Sequence, residues 1–277
     1  MIPPFGLAPL GFLEVPPPEL IGLAAEAQFA SVTLRTRPAV PGGAAFPMRI
    51  GDPLLRACRR RSAETGVGVG AIEQVGLERT TEIGALRPML EVGAELGARR
   101  IVCSGDDPDL SWVADRFAQL CLLAAEFGME VDLEFMPFRA LKTLPEAAAV
   151  VTASGAGNGR ICLDVLHLVR SGGSLADLKA VDPHHLGPLQ LSDARAEPPA
   201  PAALAEEARE HRLLPGQGAL PLAEILAAYP KRCPIEAEIP IGRQFPELDA
   251  RQRARLIASA MRNLFERCQA LAPVTAT

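Results

Sequence analysis

The stretch AAEFGMEVDLEFMPF, residues 124 to 138, holds the end of a helix, a tight reversal and the start of a strand. Ala-Glu closes the helical pattern, Gly128 suits the left-handed conformation that terminates a helix, and β-formers follow from Val131. The same joint recurs in AAEAQFASV (24 to 32), SAETGVGV (62 to 69) and GAELGARRIV (93 to 102). Gly66 and Gly97 stand at the reversal in two of these copies, and Gln28 takes that place in the first. A helix-to-strand joint repeated along one chain marks alternating α and β units.

With that joint as guide, eight strands are expected, at 5–12, 31–35, 67–73, 100–103, 131–135, 161–164, 188–191 and 234–239. Helical patterns lie between them, among them the long RTTEIGALRPMLEVGAEL (79–96). A last helix, LDARQRARLIASAMRNLFERCQA (248–270), carries Ile257, Met261, Leu264 and Phe265 at helical spacing. Its apolar stripe could lie against the barrel or against another copy in a homo-oligomer. Short apolar strands separated by helices imply a parallel sheet covered by helices, and eight such units favour a closed (β/α)8 TIM barrel, one domain over residues 1–277. No GxGxxG or GxxxxGK[ST] loop follows an early strand, which removes the usual support for a nucleotide-binding sheet.

Composition narrows the function. A net charge of −5, one tryptophan, one tyrosine and no basic block longer than RACRRR argue against nucleic acid as a partner. A small-molecule substrate is expected instead. The amino terminus lacks a basic signal-peptide region and no apolar run is long enough to span a bilayer, so a cytoplasmic protein without membrane contact is expected. The six cysteines are scattered, with no CxxC pair, as for reduced structural thiols.

In a barrel the chemistry sits where strands end. Glu73 ends the third strand and Glu134 the fifth, while the sixth ends in Asp164 with His167 three residues on. Gln190 and Asp193 close the seventh, and Glu236 and Glu238 lie in the eighth. Oxygen donors with one imidazole suit a hard or borderline divalent ion such as Mg²⁺, Mn²⁺, Co²⁺ or Zn²⁺. Plainer readings stand beside this one: Glu134 as an arginine's buried partner, Asp164 as a helix cap, His167 as a hydrogen-bonded core residue. Glu236 and Glu238, two apart, share a strand face, so one of them suffices as a ligand. His184 and His185 precede the seventh strand and fall on the opposite rim. LLPGQGALPL (213 to 222) reads as a turn, and EPPAPAALAEEA (197 to 208) as a proline-broken loop and helix near the rim.

The order EFMPF, LDVLH, QLSDA, RLLPGQGALPL and IEAEIP resembles the sugar phosphate isomerase/epimerase family with the xylose-isomerase-like barrel, and the likeness covers nearly the whole chain. The resemblance implies one divalent metal ion (Mn, Mg, Co or Zn) on Glu134, Asp164, Gln190 and Glu238, with Glu238 preferred to Glu236 for the EIP step that follows it. It implies substrate contacts from His167 and Arg195, to which the rim position adds Glu73. Gln190 departs from the family's usual histidine, and an amide oxygen favours manganese or magnesium over zinc. The expected activity is that of an isomerase or epimerase in carbohydrate metabolism, acting on a sugar, polyol ketone or related hydroxy-carbonyl compound. Glu134 and Glu238 would move a proton next to the carbonyl. Dehydration of the same substrates is the alternative, and a barrel that binds a sugar or polyol without turnover is a third reading.

Overall fold

A computed structural model of the chain describes residues 2–39 and 42–271. Its elements run β1 (Gly6–Leu7), α1 (Pro17–Glu26), β2 (Ser31–Arg35), α2 (Pro53–Thr65), β3 (Gly68–Leu77), α3 (Arg87–Leu96), β4 (Arg100–Gly105), α4 (Leu110–Ala125) and β5 (Glu130–Glu134). They continue α5 (Leu144–Ser154), β6 (Gly159–Asp164), α6 (Val165–Arg170), α7 (Leu175–Ala180), β7 (Leu186–Leu191), α8 (Leu204–Glu210), α9 (Leu222–Ala228), β8 (Ile235–Ala237) and α10 (Ala250–Leu271). The eight strands pair in parallel in sequence order, and β1 closes on β8 through Gly6 opposite Glu236 and Leu7 opposite Ala237.

The repeated joint accounts for the alternation. Gln28, Gly66, Gly97 and Gly128 all take positive φ, between 66° and 77°, so each helix reverses where the sequence places the break. Two expectations need correction. The first strand is two residues long rather than eight, because Pro9 has no N–H for the ladder and Pro9–Phe12 turns into a 3₁₀ segment. The long helical pattern at 79–96 splits into a 3₁₀ turn, Ile83–Leu86, and α3, with Pro88 in the first turn of α3 where its missing N–H costs nothing. Thr81 is drawn out of the helix by donating to the Gly76 carbonyl at 2.6 Å.

Between barrel and helices the core is apolar. Inside the barrel it is not. Arg100 on β4 donates to Glu236 on β8 at 2.6 Å and to Asp132 on β5 at 3.2 Å, and the Thr33 hydroxyl donates to Glu236 at 3.2 Å. All four are buried. No helix among the described residues is long and apolar enough to cross a membrane.

Candidate active site at the carboxyl ends of the strands

The last residue of β6 does two things at once. Asp164 caps α6, its Oδ1 accepting from the backbone N–H groups of Leu166 at 2.7 Å and His167 at 3.0 Å. Its Oδ2 faces the Arg212 guanidinium. The cap also fixes His167 on the first turn of the helix, where Nε2 lies 3.8 Å from Oε1 of Glu134 at the end of β5. The Phe138 ring stands edge-on to the imidazole with centroids 5.4 Å apart, and Nδ1 is buried without a hydrogen-bond partner. Donor atoms of Glu134, Asp164 and His167 all lie within 4.8 Å of one another.

Arg212 is the residue that sequence reasoning missed. Its Nη2 lies 3.0 Å from Oε2 of Glu238, just beyond β8, and Nη1 meets Asp164, so one guanidinium bridges two of the rim carboxylates. Nε donates to the Ala208 carbonyl at 2.6 Å. The LLPGQGAL loop that follows is more than a turn: the Asp193 carboxylate accepts backbone N–H groups of Gly216, Gly218 and Leu220 at 2.8 to 3.0 Å, and Asp193 pairs with Leu213. Gly218 packs so closely that a Cβ would lie 2.2 Å from the Ala194 carbonyl oxygen, and Gly216 has φ +89°. The sequence signal was an arginine placed directly before LLPGQG, a loop with two glycines that must wind around something.

Electrostatics separate the acids. Burial, then the neighbouring charges of Asp164 and Glu73, push Glu134 up to about 8 against the opposing pull of Arg212 and Arg35. Burial also raises Glu238 well above the usual carboxylate range, with Arg212 opposing. Asp164 feels the same burial, but Arg212 beside it prevails and its pKa falls. Burial lowers His167 to about 4, so the imidazole is neutral at ordinary pH. Among the described residues no arginine lies within ion-pair distance of Glu134, which answers the plain reading of that residue. Its neighbour is the neutral imidazole of His167, 3.8 Å away.

The other expected residues divide. Gln190 pairs in register with Asp164 and with Glu236, and its buried Oε1 has no partner. Glu236 belongs to the lower layer with Arg100, which leaves Glu238 as the rim carboxylate of β8. Glu73 is held by Arg35, at 2.6 Å from Nη2 and 2.8 Å from Nε, so its carboxylate neutralises a cation of the rim instead of standing free for substrate. Arg195 stands apart from these residues: its exposed side chain lines another cavity with Glu197. The chain turns outward there, and Arg212, farther along, turns in. His184 and His185 sit in a 3₁₀ turn just before β7, on the opposite rim.

Glu134, His167, Arg212 and Glu238 line one cavity of about 380 Å³ with Arg35 and Gln74. Arg212 engages Asp164 and Glu238 and leaves Glu134 without an ion-pair partner, and two buried polar atoms, Gln190 Oε1 and His167 Nδ1, lack partners. This donor set fits a divalent cation. Glu134, Asp164 and His167, whose donor atoms cluster, would hold it.

The family model described as "Xylose isomerase-like TIM barrel" matches residues 21–260. Among solved structures, the IolI protein with a bound zinc atom is 18% identical at TM-score 0.76, over 96% of this chain and 98% of that one. The probable 3-DHS dehydratase AsbF from Bacillus anthracis is 14% identical at TM-score 0.74, over 96% of this chain and all of that one (100%). The 3-keto-D-glucoside 4-epimerase YcjR from E. coli is 18% identical at TM-score 0.69, over 95% and 98%. No curated protein matches the chain. At these identities the structural likeness speaks for the fold.

Proposed function

This chain belongs to the xylose isomerase-like TIM barrel family, and from that premise we propose that it is a divalent-metal-dependent enzyme that removes a proton next to the carbonyl of a hydroxy-carbonyl compound and expels water. The observation that carries this reading is the asymmetry of the carboxylates: Arg212 binds Asp164 and Glu238, whereas Glu134 faces the cavity without a cation. A cation bound at the rim supplies a Lewis acid for the charge that develops on the carbonyl oxygen. Glu134 accepts the α-proton, and its high pKa suits it to hold that proton. The C–H electron pair moves into the enolate. When the β C–O bond breaks, the protonated Glu134 gives the same proton to the departing hydroxide, so water and an α,β-unsaturated carbonyl form. The neutral imidazole of His167, 3.8 Å away, does not compete for the proton. The dehydratase among the similar folds supports this branch.

Isomerisation or epimerisation is the second reading. It uses the same first step, and the epimerase among the similar folds favours it. Two-base epimerisation would require Glu238 to leave Arg212, from which it lies 3.0 Å.

The test begins with metal content by mass spectrometry on wild type, Glu134→Ala and Asp164→Ala. About one equivalent of a divalent ion, lost in both variants, is expected. Proton NMR in deuterated water then follows 3-DHS, a 3-keto-D-glucoside and polyol ketones with the loaded enzyme. Loss of water with a new olefinic signal marks dehydration, and deuterium uptake without loss of water marks the second reading. No metal uptake after incubation with manganese, magnesium, cobalt or zinc would overturn both.

A further inference from the structure

Four arginines reach the walls of the 380 Å³ cavity, and they are not alike. Arg212 is occupied by Asp164 and Glu238, and Arg35 by Glu73. Arg139, in the loop after β5, has one nitrogen on Asp106 at 2.7 Å, but its Nε is buried with no partner. Arg209 on α8 has no carboxylate partner among the described residues. Its contact is the Phe138 ring, 5.6 Å from Cζ, and its neighbour Glu210 is paired with Arg243. Partial burial, followed by the charges of Arg139 and Arg35 and opposed by Glu210, lowers the Arg209 pKa, so the side chain stands among other cations. Side chains placed this way repel one another unless an anion comes between them.

We propose that the mouth of the cavity is a carboxylate subsite, in which Arg209 and the unpartnered Nε of Arg139 hold the acid group of the substrate while its carbonyl end faces Glu134. The substrate class is therefore a hydroxy-keto acid rather than a neutral sugar. Charge selects the carboxylate over a phosphate ester. Arg139 is balanced by Asp106, so Arg209 brings one uncompensated positive charge, which matches a monoanion. A planar guanidinium also meets a carboxylate through two parallel hydrogen bonds. Phe138 touches both side chains, with the Arg209 guanidinium 5.6 Å from its ring centre and the His167 imidazole edge-on to it at 5.4 Å. This inference rests on the proposed α-proton chemistry for its choice of a carbonyl compound, and its test is separate.

Isothermal titration of wild type and Arg209→Gln, each metal-free and manganese-loaded, would compare three six-carbon probes: 5-keto-D-gluconate, D-fructose and D-fructose 6-phosphate. The keto acid is expected to bind wild type about tenfold to a hundredfold more tightly than the ketose, the range of a charge-assisted pair. Arg209→Gln should remove that preference without changing D-fructose binding, and Arg209→Lys should restore part of it. The exposed position of Arg209 keeps the fold out of the comparison. Equal affinity for acid and ketose, a preference kept in Arg209→Gln, no binding of the keto acid, or stronger binding of the phosphate ester would each overturn the subsite. Those results leave the α-proton chemistry standing. A preference for the acid without metal uptake or deuterium exchange would do the reverse.

Discussion

Arg212 carries the tension of the rim in one side chain. It is buried to 1% exposure and compensates two carboxylates that would otherwise face each other in a medium of low polarity. Removing one partner of a buried ionic group leaves the others unpaired, which costs about 3–5 kcal/mol. Arg212→Met should therefore lower the unfolding free energy by about that amount in metal-free protein, measured by urea denaturation. Manganese should restore more stability to this variant than to wild type, because a cation replaces the missing charge. An equal response of the two proteins would show that metal and guanidinium do not serve the same carboxylates. Glu134→Gln is the contrasting change: the amide keeps the shape and fills the same space but accepts no proton. Circular dichroism and Tm should stay near wild type, while turnover falls by at least about a hundredfold.

At the scale of elements, β6 and α6 show how one residue can be cap and site together. Asparagine caps a helix as well as aspartate does but brings no charge, so the two roles can be separated. Asp164→Asn and Asp164→Ala should both lose metal, and the alanine variant should be less stable than the asparagine variant by about 1 kcal/mol in denaturant unfolding. Equal stability would mean that the hydrogen bonds to Leu166 and His167 do not hold α6. The same elements explain what was legible in the sequence. The joint with Gly66, Gly97 and Gly128 is local, so the alternation of strands and helices could be read directly, and each rim carboxylate is adjacent to the strand that presents it. Arg212 was not readable this way. It lies 21 positions beyond Leu191, the last residue of β7, in a segment placed by Asp193 and two glycines, and its partners come from β6 and from beyond β8. Arg195 is nearer to β7 in sequence yet exposed, so closeness along the chain does not decide which arginine turns inward. The two-residue β1 was hidden for another reason: an apolar run that includes Pro9 looks like a buried strand, and the register of a closed barrel decides where pairing stops.

At the scale of the whole molecule, the barrel interior carries polar groups in two levels. Asp132 and Glu134 stand two apart on β5, as do Glu236 and Glu238 at β8, so each strand contributes one acid to the rim and one to the level beneath. The lower level holds two carboxylates on one guanidinium, with Asp132 Oδ1 unpartnered. Burial raises Asp132 from 3.8 to about 7, with Arg100 opposing. A carboxyl whose folded pKa exceeds its unfolded value favours folding while protonated. That contribution is complete below about pH 4 and is lost as pH rises through about 7. Asp132→Asn cannot ionise and so escapes the loss. Its Tm relative to wild type should therefore rise between pH 5 and pH 8, whatever the absolute difference at either end. The measurement belongs in metal-free and manganese-loaded protein alike, because the Asp132 shift is set by burial first and then by the charges of Arg100, which opposes it, and of Glu236 and Glu130, none of them at the rim. A Tm difference that stays flat across this range would show that Arg100 keeps Asp132 ionised throughout. The interior would then hold its charge fixed at both levels, and the pH response of the protein would arise at the rim alone.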